Sequence, residues 1–348
     1  MIEVELILTV KRKEVKKVAR GDLLKKLLLS YQRGEDKKFR EISMDIIRDE
    51  RKKNHHALAD QLQKIIDSQT FSPEKFNRLS HMVTVPKDEN DVSLVEIRKS
   101  KKYLSDIILS KDNKNSIDEI IHEFWRSELI KAYNLKPKSK ILFCGPPGCG
   151  KSLCAEAIAG ELGLPIIYTR FDSIISSYLG DTSSNIRKVF DFGAKETWVM
   201  LFDEFDAIGK SRNDPSEHGE LKRVVNSFLQ IMDSFEGQSL IIACTNHESL
   251  LDKAIWRRFD EVIFFNKPTH EEIMSLINKK TTSFPKKNLD VSKIAEDMIG
   301  FSHAEIERVC HEGIKYCLLN DKAELSDDIM FLQTNKERTR QKIYEGGI

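Results

Sequence analysis

The chain is 348 residues long, 40% hydrophobic and 32% charged, with a formal net charge of +1. That length allows two or three domains with buried cores, and the near balance of charge excludes a whole-chain field that would gather nucleic acid or an anionic membrane unaided. The first residues, MIEVELILTVKRKE, place apolar side chains ahead of basic ones, the reverse of a secretory leader. No run approaches the roughly 20 apolar residues that span a bilayer, so a cytoplasmic chain with no membrane partner is expected.

Residues 21–68 repeat apolar side chains at spacings of three and four: Leu23, Leu24, Leu27 and Leu28, then Phe39, Ile42, Ile46 and Ile47, then Leu58, Leu62, Ile65 and Ile66. One apolar stripe per segment predicts amphipathic helices, and residues 1–70 read as a helical amino-terminal domain. Residues 71–115 contain Pro73, Pro86 and most of the polar run SKDNKNSID without sustained periodicity, which reads as a linker and lead-in. A helix is predicted over 118–135.

The character then changes. KILFCG (140–145), PIIYTRF (165–171), WVMLFD (198–203), SLIIACT (239–245) and EVIFF (261–265) are short apolar runs separated by helical stretches. This alternation predicts an α/β fold over 116–268, a parallel sheet with helices on both faces. Beyond Pro268 the pattern is helical only. Thr269 with Glu272 and Ser302 with Glu305 are capping-box pairs, and they open apolar-periodic segments of a small all-helical domain over 269–348. Six cysteines, at 144, 149, 154, 244, 310 and 317, form no CxxC pair and read as reduced core residues. His311 beside Cys310 has nothing near it in sequence to complete a zinc set.

The chemistry concentrates in three places. GPPGCGKS fits GxxxxGK[ST] between a predicted strand and a predicted helix, as a phosphate-cradling P-loop requires. Gly145, Pro146, Pro147, Gly148, Cys149, Gly150, Lys151, Ser152 and Leu153 are the nucleotide-binding candidates, with Lys151 for the β and γ phosphates and Ser152 for magnesium. Some fifty residues on, WVMLFDEFDAIG presents Asp203 and Glu204 at a strand end, the first suited to magnesium and the second to polarising the attacking water. Asn246 stands at the end of the next strand, where an amide can orient that water. Arg257 and Arg258 follow, suited to stabilising charge on a transferring phosphoryl group. ATP and Mg2+ are the cofactors expected.

Five ordered matches make the chain resemble the AAA+ ATPases over about residues 100–315, and within them the AAA group that unfolds or remodels proteins. They are GPPGCGKS, the YLG of residues 178–180, FDEFDAIG, CTN with LDKAIWRRFD, and GFSHAEIE. The resemblance implies a P-loop NTPase core with a helical lid, in a homo-hexameric ring with ATP at subunit interfaces. It also implies a sensor role for Asn246, and fingers at Arg257 and Arg258 that act on a neighbour's nucleotide. Many members carry RxGRFD where this chain has RRFD, which leaves open which arginine is the principal finger. His303 replaces a small residue in the lid turn.

SSYLGDTSS, residues 176–184, reads as a surface loop. It occupies the position of the first pore loop in AAA unfoldases, so Tyr178 and Leu179 would grip a threaded polypeptide while Gly180 permits the turn. SRNDPSEHGE, residues 211–220, resembles the second pore loop in position. The function expected is ATP-driven remodelling or unfolding of protein substrates. The general layout is similar to stand-alone bacterial ATPases paired with subtilisin-like serine proteases, and with no HExxH or GxSxG of its own, any protease would be a separate chain. The alternative is an AAA+ machine acting on nucleic acid, of loader or initiator type, but no added helix-turn-helix or basic channel patch is legible. A small-molecule P-loop kinase is disfavoured by the arginine pair and the lid.

Overall fold

A computed structural model describes residues 84–170, 179–205, 218–247, 253–287 and 289–344, and in the amino-terminal part 36–52 with positions 23, 59 and 63. The chain divides into two compact units, Met1–Val83 and Thr84–Ile348. In the first, helix α1 (Asp36–Lys52) buries Ile47, and Ser43 donates from its hydroxyl to the Phe39 carbonyl at 2.7 Å. Positions 23, 59 and 63 are also helical.

The second unit begins with a strand hidden from sequence reading. β1 (Glu96–Lys99) lies inside the segment expected to be a linker and pairs antiparallel with β3 (Pro165–Arg170), Ile97 opposite Ile167. EIRK alternates too briefly to register as a period, and as an edge strand it needs only one partner. A 3-10 turn (Leu104–Asp106) follows. The helix predicted over 118–135 is two helices, α2 (Lys111–Trp125) and α3 (Ser127–Ala132). α2 starts earlier than its apolar pattern because the Ser110 hydroxyl accepts from the Asn113 N–H and caps it.

β2 (Lys140–Cys144), β4 (Val199–Asp203), β5 (Leu240–Thr245) and β6 (Glu261–Phe264) complete a six-stranded sheet in the order β1-β3-β4-β5-β2-β6, parallel except for β1. All five apolar runs are therefore strands. They read as unbroken apolar runs because both faces are covered. Ile141, Phe143, Val199, Leu201 and Ile242 pack against α2 and α4 (Lys151–Leu162). On the opposite face Phe202 stacks on Phe190 of α5 (Leu179–Gly193) at 5.3 Å and meets Phe228 of α6 (His218–Asp233) edge-on at 5.1 Å.

α5 corrects the loop reading over 179–184, and residues 176–178 lie outside the described residues. Its helix starts at Leu179 and takes in LGDTSS. Thr182, Asn185, Ile186, Val189 and Phe190 are all buried, a stripe spaced by three and four that carries the helix upstream through its polar residues. Of the residues 211–220, the last three belong to α6 and the others lie outside the described residues.

The carboxyl-terminal helices are α8 (His270–Lys280), α9 (Val291–Asp297), α10 (His303–Leu319) and α11 (Asp327–Tyr344), after a short α7 (Lys253–Trp256). Ile273, Ile277, Ile294, Met298, Ile306, Val309 and Met330 form their own buried core. Both capping boxes are formed, at Thr269 with Glu272 and at Ser302 with Glu305. All six cysteines are buried and none is in a disulfide. Among the described residues no helix is long and apolar enough to cross a membrane.

Candidate active site

The P-loop leaves β2 at its carboxyl end, where a parallel sheet opens its crevice for ligands. Gly145 adopts φ +137°, and a Cβ there would lie 2.1 Å from the Phe265 carbonyl oxygen, so only glycine lets the chain turn beside the end of β6. The loop hands over to α4 at Lys151, placing a helix amino terminus behind the phosphate cradle. Lys151 is buried, and its ammonium donates to the Gly145 carbonyl at 2.6 Å and the Pro146 carbonyl at 2.9 Å. Burial lowers its pKa. These two carbonyls hold the cation in the mouth of the loop, where phosphate oxygens can take their place.

Asp203 ends β4 and is held on both oxygens. Its Oδ2 accepts from the Ser152 hydroxyl at 2.8 Å and the Tyr168 hydroxyl at 3.2 Å, and its Oδ1 accepts from the Glu204 backbone N–H at 2.9 Å. Ser152 and Asp203 are thus brought together across 51 residues of sequence. Oxygen donors completed by nucleotide phosphates and water are what magnesium takes, so this pair fits the ion expected.

Glu204 is exposed and sits at φ +56°, a left-handed conformation rare for a side chain of its kind. Such strain costs of order 1–3 kcal/mol and persists only where surroundings impose it. Here the next residue imposes it: the Phe205 N–H donates to the Cys244 carbonyl at 2.9 Å and its ring is fully buried against Phe228, so the chain rejoins the sheet immediately after Glu204 turns out. Asn246 follows the end of β5, the neighbour of β4, so that Glu204 and Asn246 stand at adjacent strand ends.

The arginine turn is anchored on both sides. Trp256 stacks on Phe264 of β6 at 5.7 Å, and Phe259 is buried with its ring edge-on to Phe205. Asp260 accepts from the Ser139 and Lys140 N–H groups, each at 2.9 Å, and ties the turn to the start of β2. Between these anchors both arginines are exposed, but they differ. Arg258 is ion-paired with Asp233, the last residue of α6. Arg257 has no partner among the described residues.

The helical domain closes over the P-loop. The Ala304 N–H donates to the Gly148 carbonyl at 3.0 Å, and a Cβ on Gly148 would come within 2.8 Å of the Ser302 hydroxyl. His303 lies at this contact with its Nδ1 buried and unpartnered among the described residues. Desolvation lowers its pKa while Glu272 acts the other way. Glu305 carries the capping box and accepts from Gln341 at 2.8 Å.

Residues 145–153, with Asp203, Glu204 and Asn246, therefore gather at the carboxyl edge of the sheet. Arg257 and Arg258 leave from a turn beyond β5. Leu179 and Gly180 open α5, and Tyr178 lies outside the described residues. Sequence reading missed Tyr168 and Asp233. Tyr168 stood within an apolar strand run, and Asp233 closes a helix with no motif around it, so neither carried a local signal.

The family described as "ATPase family associated with various cellular activities (AAA)" matches residues 141–267. The AAA family ATPase y4kL of Sinorhizobium fredii is 42% identical over 312 residues, 89% of this chain and 93% of that one. The ATP-dependent zinc metalloprotease FtsH 1 of Bdellovibrio bacteriovorus is 35% identical over 195 residues, 53% of this chain and 30% of that protein. The peroxisomal ATPase PEX1 of Saccharomyces cerevisiae is 32% identical over 231 residues, 60% of this chain and 22% of its own.

Proposed function

The chain belongs to the AAA family of ATPases and hydrolyses ATP, and on that premise we propose that it works as a homo-hexameric ring that unfolds or remodels protein substrates by drawing them through an axial pore. The observation that carries this reading is the sequence YLG at residues 178–180, whose Leu179 and Gly180 open α5, the helix that follows β3 in chain order. An aromatic side chain at that place grips polypeptide by packing, whatever the sequence. The distant relative FtsH 1, an ATP-dependent zinc metalloprotease, supports a protein-handling role over a nucleic-acid one.

In this reading Lys151 and the P-loop amides would hold the triphosphate, and Ser152 and Asp203 would hold magnesium, which would supply charge neutralisation at the phosphates. Glu204 takes the proton from the attacking water, and Asn246 orients that water. Arg257 reaches the nucleotide of the adjoining subunit, because it is exposed and has no ion pair among the described residues, whereas Arg258 is engaged by Asp233 of its own chain. The lid contact from Ala304 to Gly148 couples nucleotide state to the helical domain. The chain carries no HExxH or GxSxG of its own, and a separately encoded serine protease is the partner that a threading ring would feed.

The test is the steady-state ATPase rate of the wild type and of Tyr178→Ala, alone, with an unfolded polypeptide and with single-stranded DNA. Stimulation by polypeptide that disappears in Tyr178→Ala is the expected result. Stimulation by DNA and not by polypeptide would overturn the threading reading in favour of a nucleic-acid machine.

A further inference from the structure

Asp203 is the hub of the magnesium half of the site, and three donors hold its carboxylate. One is the Glu204 N–H, which follows from the backbone, and one is Ser152, which belongs to the P-loop signature. The third, the Tyr168 hydroxyl at 3.2 Å, comes from the middle of β3 and belongs to neither. The tyrosine ring is itself clamped. The Arg98 guanidinium lies over it, 4.2 Å from the centroid, and that guanidinium is held by both oxygens of Glu96 at 2.8 and 2.6 Å. A longer contact of 3.9 Å connects Arg98 to Glu156 on α4, the helix that starts at the P-loop. The edge strand β1, β3 and α4 therefore converge on one ring whose only polar tip touches Asp203.

We propose that Tyr168 is a positioning residue for magnesium, fixing the plane of the Asp203 carboxylate, and that Arg98 on β1 locks the ring so that the hydroxyl stays aimed. The need for such a residue follows from the bonding. Ser152 bonds Asp203 directly, yet the Ser152 oxygen is also the P-loop's ligand for the ion. When it serves the ion, the Glu204 N–H and the Tyr168 hydroxyl remain to hold the carboxylate. The N–H engages Oδ1 only, so without Tyr168 nothing described restrains Oδ2 against rotation. A guanidinium stacked on an aromatic face adds a directional restraint, since it loses contact when the ring tilts. Partners that orient a metal-binding carboxylate typically change metal affinity by roughly 10–100-fold when lost.

The proposal rests on the assignment of magnesium to Ser152 and Asp203, and its test separates the two. Binding of a fluorescent non-hydrolysable ATP analogue to the full-length chain is measured across a magnesium titration and in excess EDTA, with a thermal melt of each variant. For Tyr168→Phe the magnesium concentration at half-maximal binding should rise roughly tenfold, with metal-free affinity within about twofold of wild type. Arg98→Ala, a change at a partly exposed edge, should shift the midpoint the same way by a smaller factor, about threefold. An unchanged midpoint in Tyr168→Phe overturns the proposal, and so does an equal loss of affinity with and without magnesium, which marks a general packing defect. A normal midpoint in Arg98→Ala removes the lock from β1. A wild type whose binding ignores magnesium overturns the metal assignment itself.

Discussion

Arg257→Ala and Arg258→Ala should separate cleanly, although the residues are adjacent and share a charge. Arg258 is paired with Asp233, with their side chains 47% and 31% exposed. A pair this open to solvent is worth about 0–1 kcal/mol, and Asp233 keeps Lys140 at 3.9 Å when Arg258 is lost. In a domain of this size that corresponds to a fall in Tm of about 2–4 °C at most. Arg257 makes no hydrogen bond or ion pair from its side chain among the described residues, so its removal should change stability by less than about 0.5 kcal/mol. Its effect should instead appear in catalysis, as a loss of about 10³-fold or more in kcat with ATP affinity retained. Asp233→Asn completes the set, releasing Arg258 without removing a cation, and should resemble Arg258→Ala in its melt. Steady-state ATPase rates, equilibrium binding of an ATP analogue and thermal melts on the purified protein give the three readouts. Mixing Arg257→Ala with Glu204→Gln subunits should restore activity, since each interface between unlike subunits in one orientation holds an intact glutamate and an intact finger. The reasoning is refuted if Arg257→Ala hydrolyses ATP within tenfold of wild type, or if Arg258→Ala loses the same activity with no change in Tm.

Two further outcomes follow from the packing. Gly160 of α4 faces the chain just after β1, and a Cβ there would sit 2.0 Å from the Lys102 carbonyl oxygen. Gly160→Ala should therefore destabilise by about 1–3 kcal/mol, against alanine's helix preference of about 1 kcal/mol, in a urea titration. Unchanged or increased stability would mean that the 100–106 segment leaves α4 freely. His303, whose pKa is lowered by burial, contributes stability that is present above the ordinary imidazole value of about 6.5 and lost as pH falls from there through its lowered folded value, because the unfolded chain takes up the proton first. The charged neighbour is Glu272. His303→Ala should flatten the decline in Tm between pH 7.5 and 5.5 relative to wild type, and superimposable curves would refute it.

The parts legible in the sequence are those written locally. Five strands appear as apolar runs because both faces of a parallel sheet are covered, and the P-loop is a contiguous pattern whose glycines answer to a fixed backbone path. The two capping boxes are pairs three residues apart, so they too can be read without a partner segment. β1 was not legible because four residues at an edge, with two half-buried positions, carry no period. The loop reading of LGDTSS failed because those residues favour turns alone, whereas the buried stripe from Thr182 to Phe190 draws them into a helix.

What the sequence by itself determined is therefore the AAA ATPase core, the turn of its P-loop from strand into helix and the carboxylate pair at the end of β4, since each is set by neighbours along the chain. What only the tertiary structure decided is how equivalent side chains are divided between roles. Arg257 and Arg258 are indistinguishable as letters, and α6 separates them by bringing Asp233 to one of them. Tyr168 is one residue of an apolar run until β4 brings Asp203, 35 positions away, against its hydroxyl. A hydrogen bond or ion pair between distant segments depends on where the packed core sets two backbones, and no local period or propensity records that distance.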